Sequence, residues 1–148
     1  MELMLNTSLL VLALSLVLLP ALYAFLSEIL APASRFPEAG YSQRISSLAV
    51  QQMLALPGLV ILVLAPFLIN LSAELMLAYG LLVAGLWILQ LPMFWLRMVD
   101  LRQAVRSINW SGAKRRNGQI QVLLAAQIVL AVATMLVGVE WTGSPQSA

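Results

Sequence analysis

Cysteine and histidine are both absent from this 148-residue chain, and only 9% of its residues are charged. Without cysteine and histidine it can supply no thiolate nucleophile, disulfide, Cys or His metal site, or axial histidine for haem. Several redox roles are thereby excluded for this chain by itself, and no metal or other cofactor is expected. The scarcity of charge is equally informative, because soluble domains carry about 25% charged residues and 61% of this chain is hydrophobic. A soluble fold could not hide that much apolar surface. The net charge of +2 comes from arginines clustered between apolar runs, not from a nucleic-acid-binding face.

Four stretches contain no Asp, Glu, Lys, Arg or His: residues 3–27, 45–73, 75–96 and 117–139. About 20 apolar residues rising roughly 1.5 Å each cover the hydrocarbon core of a bilayer, so each stretch is long enough to cross as a helix. The spans predicted from this pattern are 3–30, 46–68, 74–96 and 117–139. About 50 residues remain outside them, too few for a soluble domain with its own core. The expected fold is all-α, a single integral membrane four-helix up-down bundle over residues 1–141 with a disordered tail at 142–148.

Helix 1 contains Pro20, expected to kink or loosen it, and has Glu28 near its end. Ala31-Pro32-Ala33 resembles a signal-peptide cleavage site. The start lacks a basic region, however, and the apolar run exceeds a normal signal core, so the segment reads as a retained helix. Residues 31–44 read as an interfacial loop. Residues 69–74 allow only a tight hairpin, with Ser72 as N-cap and Glu74 in the first turn of helix 3. The sequence Asn109-Trp110-Ser111-Gly112 is expected to break the chain before helix 4.

Positive residues in short loops are retained in the cytoplasm. Arg35 and Arg44 follow span 1; Arg97, Arg102, Arg106, Lys114, Arg115 and Arg116 follow span 3. The termini and the Asn70 turn carry none, which predicts both termini on the non-cytoplasmic side. Compactness and the lack of a targeting segment suggest a bacterial inner (plasma) membrane as the home of a multi-pass protein.

The polar residues within the spans are the candidates for binding or assembly. Gln51 and Gln52 in helix 2, Gln90 in helix 3 and Gln127 in helix 4 would each seek a partner in hydrocarbon, contributing about 0.6 to 2 kcal/mol to helix association. Gln90 and Gln127 are read as helix-helix contacts, and Gln51 and Gln52 also as candidate ligand contacts. Small residues at helical spacing, Gly80 with Ala84 and Thr134 with Gly138, would permit close packing. Arg97, Asp100, Arg102 and Arg106 follow one another at helical spacing, and with Lys114, Arg115 and Arg116 form a basic rim suited to lipid headgroups or an anionic ligand. Glu28, Arg35 and Arg44 read as ordinary helix-end charges. Trp95, Trp110 and Trp141 read as interfacial anchors.

Helix 2 carries Arg44, then Ala49-Val50-Gln51-Gln52-Met53-Leu54-Ala55, then Pro57. With the chain length, four spans and external termini, this pattern resembles the MAPEG family, membrane-associated proteins of eicosanoid and glutathione metabolism that form trimers. In that family an arginine precedes an Ala-His-x-Asn-x-x-Glu type motif and a proline. Arg44, Ala49 and Pro57 match, whereas Val50, Gln52 and Ala55 stand at the histidine, asparagine and glutamate positions, and helix 4 has no embedded arginine. The resemblance implies the scaffold over most of the chain and places glutathione at Arg44, Gln52, Arg97, Arg102 and Arg106. Small multidrug transporters also have four spans but depend on a glutamate embedded in helix 1, whereas Glu28 here sits at a helix end.

The leading expectation is a non-catalytic membrane scaffold or accessory subunit that packs against lipids, itself or other membrane subunits. Its warrant is the set of lipid-compatible spans, the amides suited to helix contacts and the lack of a catalytic constellation. A MAPEG-like, glutathione-dependent homotrimeric enzyme is the alternative.

Overall fold

The structure, a computed structural model, describes the backbone of residues 2–68 and 73–143 and the side chains of residues 8–65, 74 and 76–137. It is all-α. Helix α1 covers Glu2–Leu30 and α2 covers Pro37–Leu68, joined through a 3-10 turn at Ala33–Arg35. Helix α3 covers Ala73–Trp95 and passes through a π-helical segment, Leu96–Leu101, into the short α4, Arg102–Arg106; α5 covers Trp110–Gly143. Four of the described helical stretches are long and apolar enough to cross a membrane: Ser8–Arg35, Pro37–Ala65, Met76–Arg106 and Trp110–Val137.

The boundaries differ from the sequence expectation in ways that local chemistry explains. Helix α2 starts at Pro37, within the stretch expected to be loop. A proline at the first helical position lacks only an N–H that would be unbonded anyway, and Glu38 complements the dipole of the first turn. Helix α5 starts at Trp110 because the side-chain oxygen of Asn109 accepts the Gly112 N–H at 3.1 Å, an N-cap where a break was expected. Lys114, Arg115 and Arg116 therefore lie on the helix. Thr142 and Gly143, assigned to the expected tail, are helical. Helix α1 runs through Pro20 to Leu30 without interruption. The Ser72 cap, the Asn70 turn, the Gly138 and Trp141 side chains and residues 144–148 lie outside the described set.

Two apolar clusters form the interior. One joins Leu10, Ala13, Leu14 and Val17 of α1 to Leu59 and Leu62 of α2, Tyr79, Val83 and Leu86 of α3, and Ala131 of α5. The other joins Ala21 and Ala24 to Tyr41, Leu48, Met93, Leu101, Ile120 and Leu124. Many of these residues are alanines, because helices in lipid gain by close packing and not by escaping water. Helices α1 and α2 approach closely at Gly58, where an added Cβ would stand 2.6 Å from the Ala13 carbonyl oxygen. At the α1–α2 corner, a Cβ on Gly40 would collide with the Ala33 carbonyl.

Between the two clusters, in the order of each helix, fall Gln51 and Gln52, then Gln90, then Gln127. They are all buried, forming an amide belt across an apolar interior. Their neighbours on the outer faces are exposed apolar residues such as Met53, Leu77, Leu91 and Val122, a surface suited to hydrocarbon.

Candidate functional site

Arg44 is the centre of the polar structure. It belongs to the inward stripe of α2 that also contains Leu48, Gln51, Ala55, Leu59 and Leu62, spaced to keep one helical face. Only 5% of it is exposed. Its Nε donates to Asn117 Oδ1 at 2.9 Å, one terminal nitrogen to the Ala24 carbonyl at 2.6 Å, and the other to Gln121 Oε1 at 2.7 Å. The Glu28 carboxylate lies 3.9 Å from Nε. Asn117 Nδ2 donates to Glu28 Oε1 at 2.6 Å, and Gln121 Nε2 donates to the Phe25 carbonyl at 2.8 Å. Both oxygens of Glu28 also face the Ala33 N–H, at 3.3 and 3.2 Å, so the acid closes the end of α1.

This network ties α1, α2 and α5 together and supplies the buried guanidinium with acceptors at all three nitrogens. A buried charge is tolerable only when paired and hydrogen-bonded in this way. Glu28, read from the sequence as a helix-end charge, is a member. Asn117 and Gln121 were not singled out by sequence, although their i, i+4 spacing places both on one face of α5.

The amide belt forms a second network. Arg97 Nε donates to Gln52 Oε1 at 2.8 Å, and Gln52 Nε2 reaches the Gln90 carbonyl at 3.5 Å. Gln90 Nε2 donates to Gln127 Oε1 at 3.1 Å and to the Leu86 carbonyl at 3.2 Å. Gln127 Nε2 donates to the Val17 carbonyl at 3.2 Å, which links α3 and α5 to α1. Gln51 is only 2% exposed, and neither its Nε2 nor its Oε1 has a partner among the described residues; Gln90 Oε1 is likewise unbonded.

The basic residues after α3 do not act as one rim. In the π-helical segment the hydrogen bonds skip to the fifth residue, which breaks the α period expected from Arg97 to Arg106. Arg97 turns inward to Gln52 and lies 5.4 Å over the Phe94 ring. Arg102 and Arg106 are exposed. Lys114 and Arg115 are exposed at the start of α5, and Arg116 is half-buried 3.8 Å from Asp100. Trp95 is exposed on the outer face, whereas the Trp110 ring stacks on Tyr41 at 5.9 Å.

An open cavity of about 380 Å³ lies against the α1–α2 corner beside this network, lined in part by Ser27, Glu28, Arg35, Gln43, Arg44 and Ser47. Among the described residues no group of three or more acidic, Cys or His side chains could hold a metal ion. No family model, curated protein or solved structure matches this chain.

Proposed function

We propose that this chain is a non-catalytic scaffold or accessory subunit of a membrane assembly, packing through its helix faces against lipids and against further copies or other subunits. The observation that carries this reading is the anchoring of Arg44: the one deeply buried guanidinium among the described residues donates once from each of its three nitrogens, to Asn117, Ala24 and Gln121 of its own chain. A guanidinium held at Nε and at both terminal nitrogens by its own helices is not free to swing toward a bound molecule. Arg44 instead fastens α2 between α1 and α5.

The four helices cross the membrane up and down in this reading. Both termini are on the non-cytoplasmic side, and the Arg35, Arg44 and Arg97–Arg116 ends face the cytoplasm, as the distribution of positive charge favours. A bacterial inner membrane is the proposed home.

Mass measurement of the intact complex in mild detergent, combined with crosslinking in membranes, tests the assembly. Homo-oligomers or recovered partner subunits are the expected result. A lone monomer with nothing crosslinked to it would sink the reading.

A MAPEG-like glutathione enzyme is the competing proposal, favoured by the open cavity beside Arg44, with Arg35 and Gln43 in its wall. It requires glutathione to bind a verified homotrimer at millimolar concentration, with loss of binding in Gln52→Leu. A trimer that shows no glutathione binding eliminates this alternative.

A further inference from the structure

Two concavities follow one another along α5, and a hydrogen bond from a residue of one reaches a residue of the other. The first is an apolar groove of about 820 Å³ between α3 and α5, walled by Leu91, Pro92, Phe94 and Trp95 on one side and Val122 and Leu123 on the other. The second is a polar pocket of about 210 Å³ lined by Asp100, Gln103, Ser107, Asn109, Arg115 and Arg116. Gln119 connects them: it lines the groove and accepts from Arg116 at 3.4 Å.

The helical period makes this alignment specific. Arg115 and Arg116 precede Gln119 by four and three residues, and Val122 and Leu123 follow Arg115 and Arg116 by seven, so these residues share one face of α5. Lys114 falls on another face. Helical side chains lean toward the N-terminus, so both arginines extend from the groove toward the polar pocket. Arg97 is not available to this site, being committed to Gln52 and Phe94.

We propose that the groove and pocket together hold one anionic phospholipid, an acyl chain along α3 and α5 and the phosphodiester at Arg115 and Arg116. The charge balance selects the headgroup: two arginines against Asp100 leave one net positive charge, which matches a phosphodiester bearing a neutral polyol. Asp100 and Ser107 offer acceptors for its hydroxyls. A zwitterionic lipid brings no net charge to balance the site. The inference deepens the lipid-packing part of the scaffold reading and rests on the four helices crossing a membrane.

The test is lipid retention in native mass spectra of the full chain in mild detergent, with dioleoyl phosphatidylglycerol, dioleoyl phosphatidylcholine or inorganic phosphate added. One phosphatidylglycerol per chain, retained about tenfold over phosphatidylcholine, is expected. Arg115→Gln with Arg116→Gln abolishes the preference, while Lys114→Gln, an equal loss of charge off this face, preserves more of it than either arginine substitution alone. Val122→Trp, at a position 69% exposed and so compatible with folding, weakens retention of both lipids.

Equal retention of the two lipids overturns the site, as does an effect of Lys114→Gln equal to that of the arginines. Displacement of the lipid by inorganic phosphate reduces it to an anion site and overturns the acyl assignment. A dimer lost in Val122→Trp with lipid retention unchanged gives the groove to a second copy and overturns it too. A monomer that selects phosphatidylglycerol would keep this site and remove the scaffold reading, whereas an oligomer without lipid preference would do the reverse.

Discussion

Arg44 and Ile108 show how differently single residues bear on stability in this protein. Removing the guanidinium leaves the side-chain oxygens of Asn117 and Gln121 without their donor and takes the nearby cation from Glu28, which keeps Asn117 Nδ2 and the Ala33 N–H. Arg44→Met should therefore lower stability by about 3 kcal/mol, the range found when one member of a buried pair is deleted, measurable by denaturant unfolding in micelles. A change under a tenth of that size would mean that the network contributes little. Ile108 adopts φ 55°, the left-handed conformation usual for glycine after a helix, while its side chain is 70% exposed and so little packed. Ile108→Gly should raise stability by about 1 kcal/mol, since a β-branched side chain is crowded there. A loss of stability would show that the Ile108 side chain supplies more than its exposure indicates.

These residues also mark how far a sequence reading reaches. Arg44 reads from the sequence as a helix-end charge, and through the MAPEG resemblance as a glutathione contact, but not as the hub of a buried network. Asn117 and Gln121 do not stand out at all, since they are 73 and 77 residues away and nothing local says that two amides on α5 will meet an arginine on α2. Gln90 and Gln127 were each legible as helix contacts, because an amide inside a long apolar run must seek another polar group, but that they would meet one another was not.

At the scale of elements, four spans were legible from the absence of charge alone, but their ends were not. Pro37 and Asn109 each resemble loop residues, and each instead starts a helix, one as its first residue and the other as its cap. The π-helical segment Leu96–Leu101 has no period that distinguishes it in advance, which is why the expected basic stripe from Arg97 to Arg106 is divided between an inward arginine and two exposed ones. The approach of α1 and α2 at Gly58 leaves no room for a single added carbon. Gly58→Ala should separate the two helices and lower stability by about 2 kcal/mol, an overpacking cost, read as an earlier thermal transition in detergent. An unchanged transition would show that α1 yields there without loss.

For the whole molecule, the proposed orientation can be checked without first removing native thiols, because the chain has no cysteine. Ser42 near the start of α2 and Glu74 near the start of α3, the second and third of the long apolar helices, are both exposed. A membrane-impermeant maleimide added to intact cells should label Glu74→Cys, and should reach Ser42→Cys only after permeabilisation. The opposite pattern would invert the bundle.

The Arg44 network also constrains how the protein is made. Arg44 emerges from the ribosome long before Asn117 and Gln121, so a chain synthesised only through α4 holds its guanidinium against Ala24 and Glu28 while lacking two acceptors. The chain through α4 is thus an incomplete state that α5 resolves. A version ending at residue 108 should accumulate poorly and be degraded faster than the full chain, and Arg44→Met should narrow that difference in half-life. Equal half-lives for the truncated and full chains would argue that Arg44 finds adequate partners before α5 arrives. Helix α5 thereby completes for α1 and α2 a polar closure that neither holds without it.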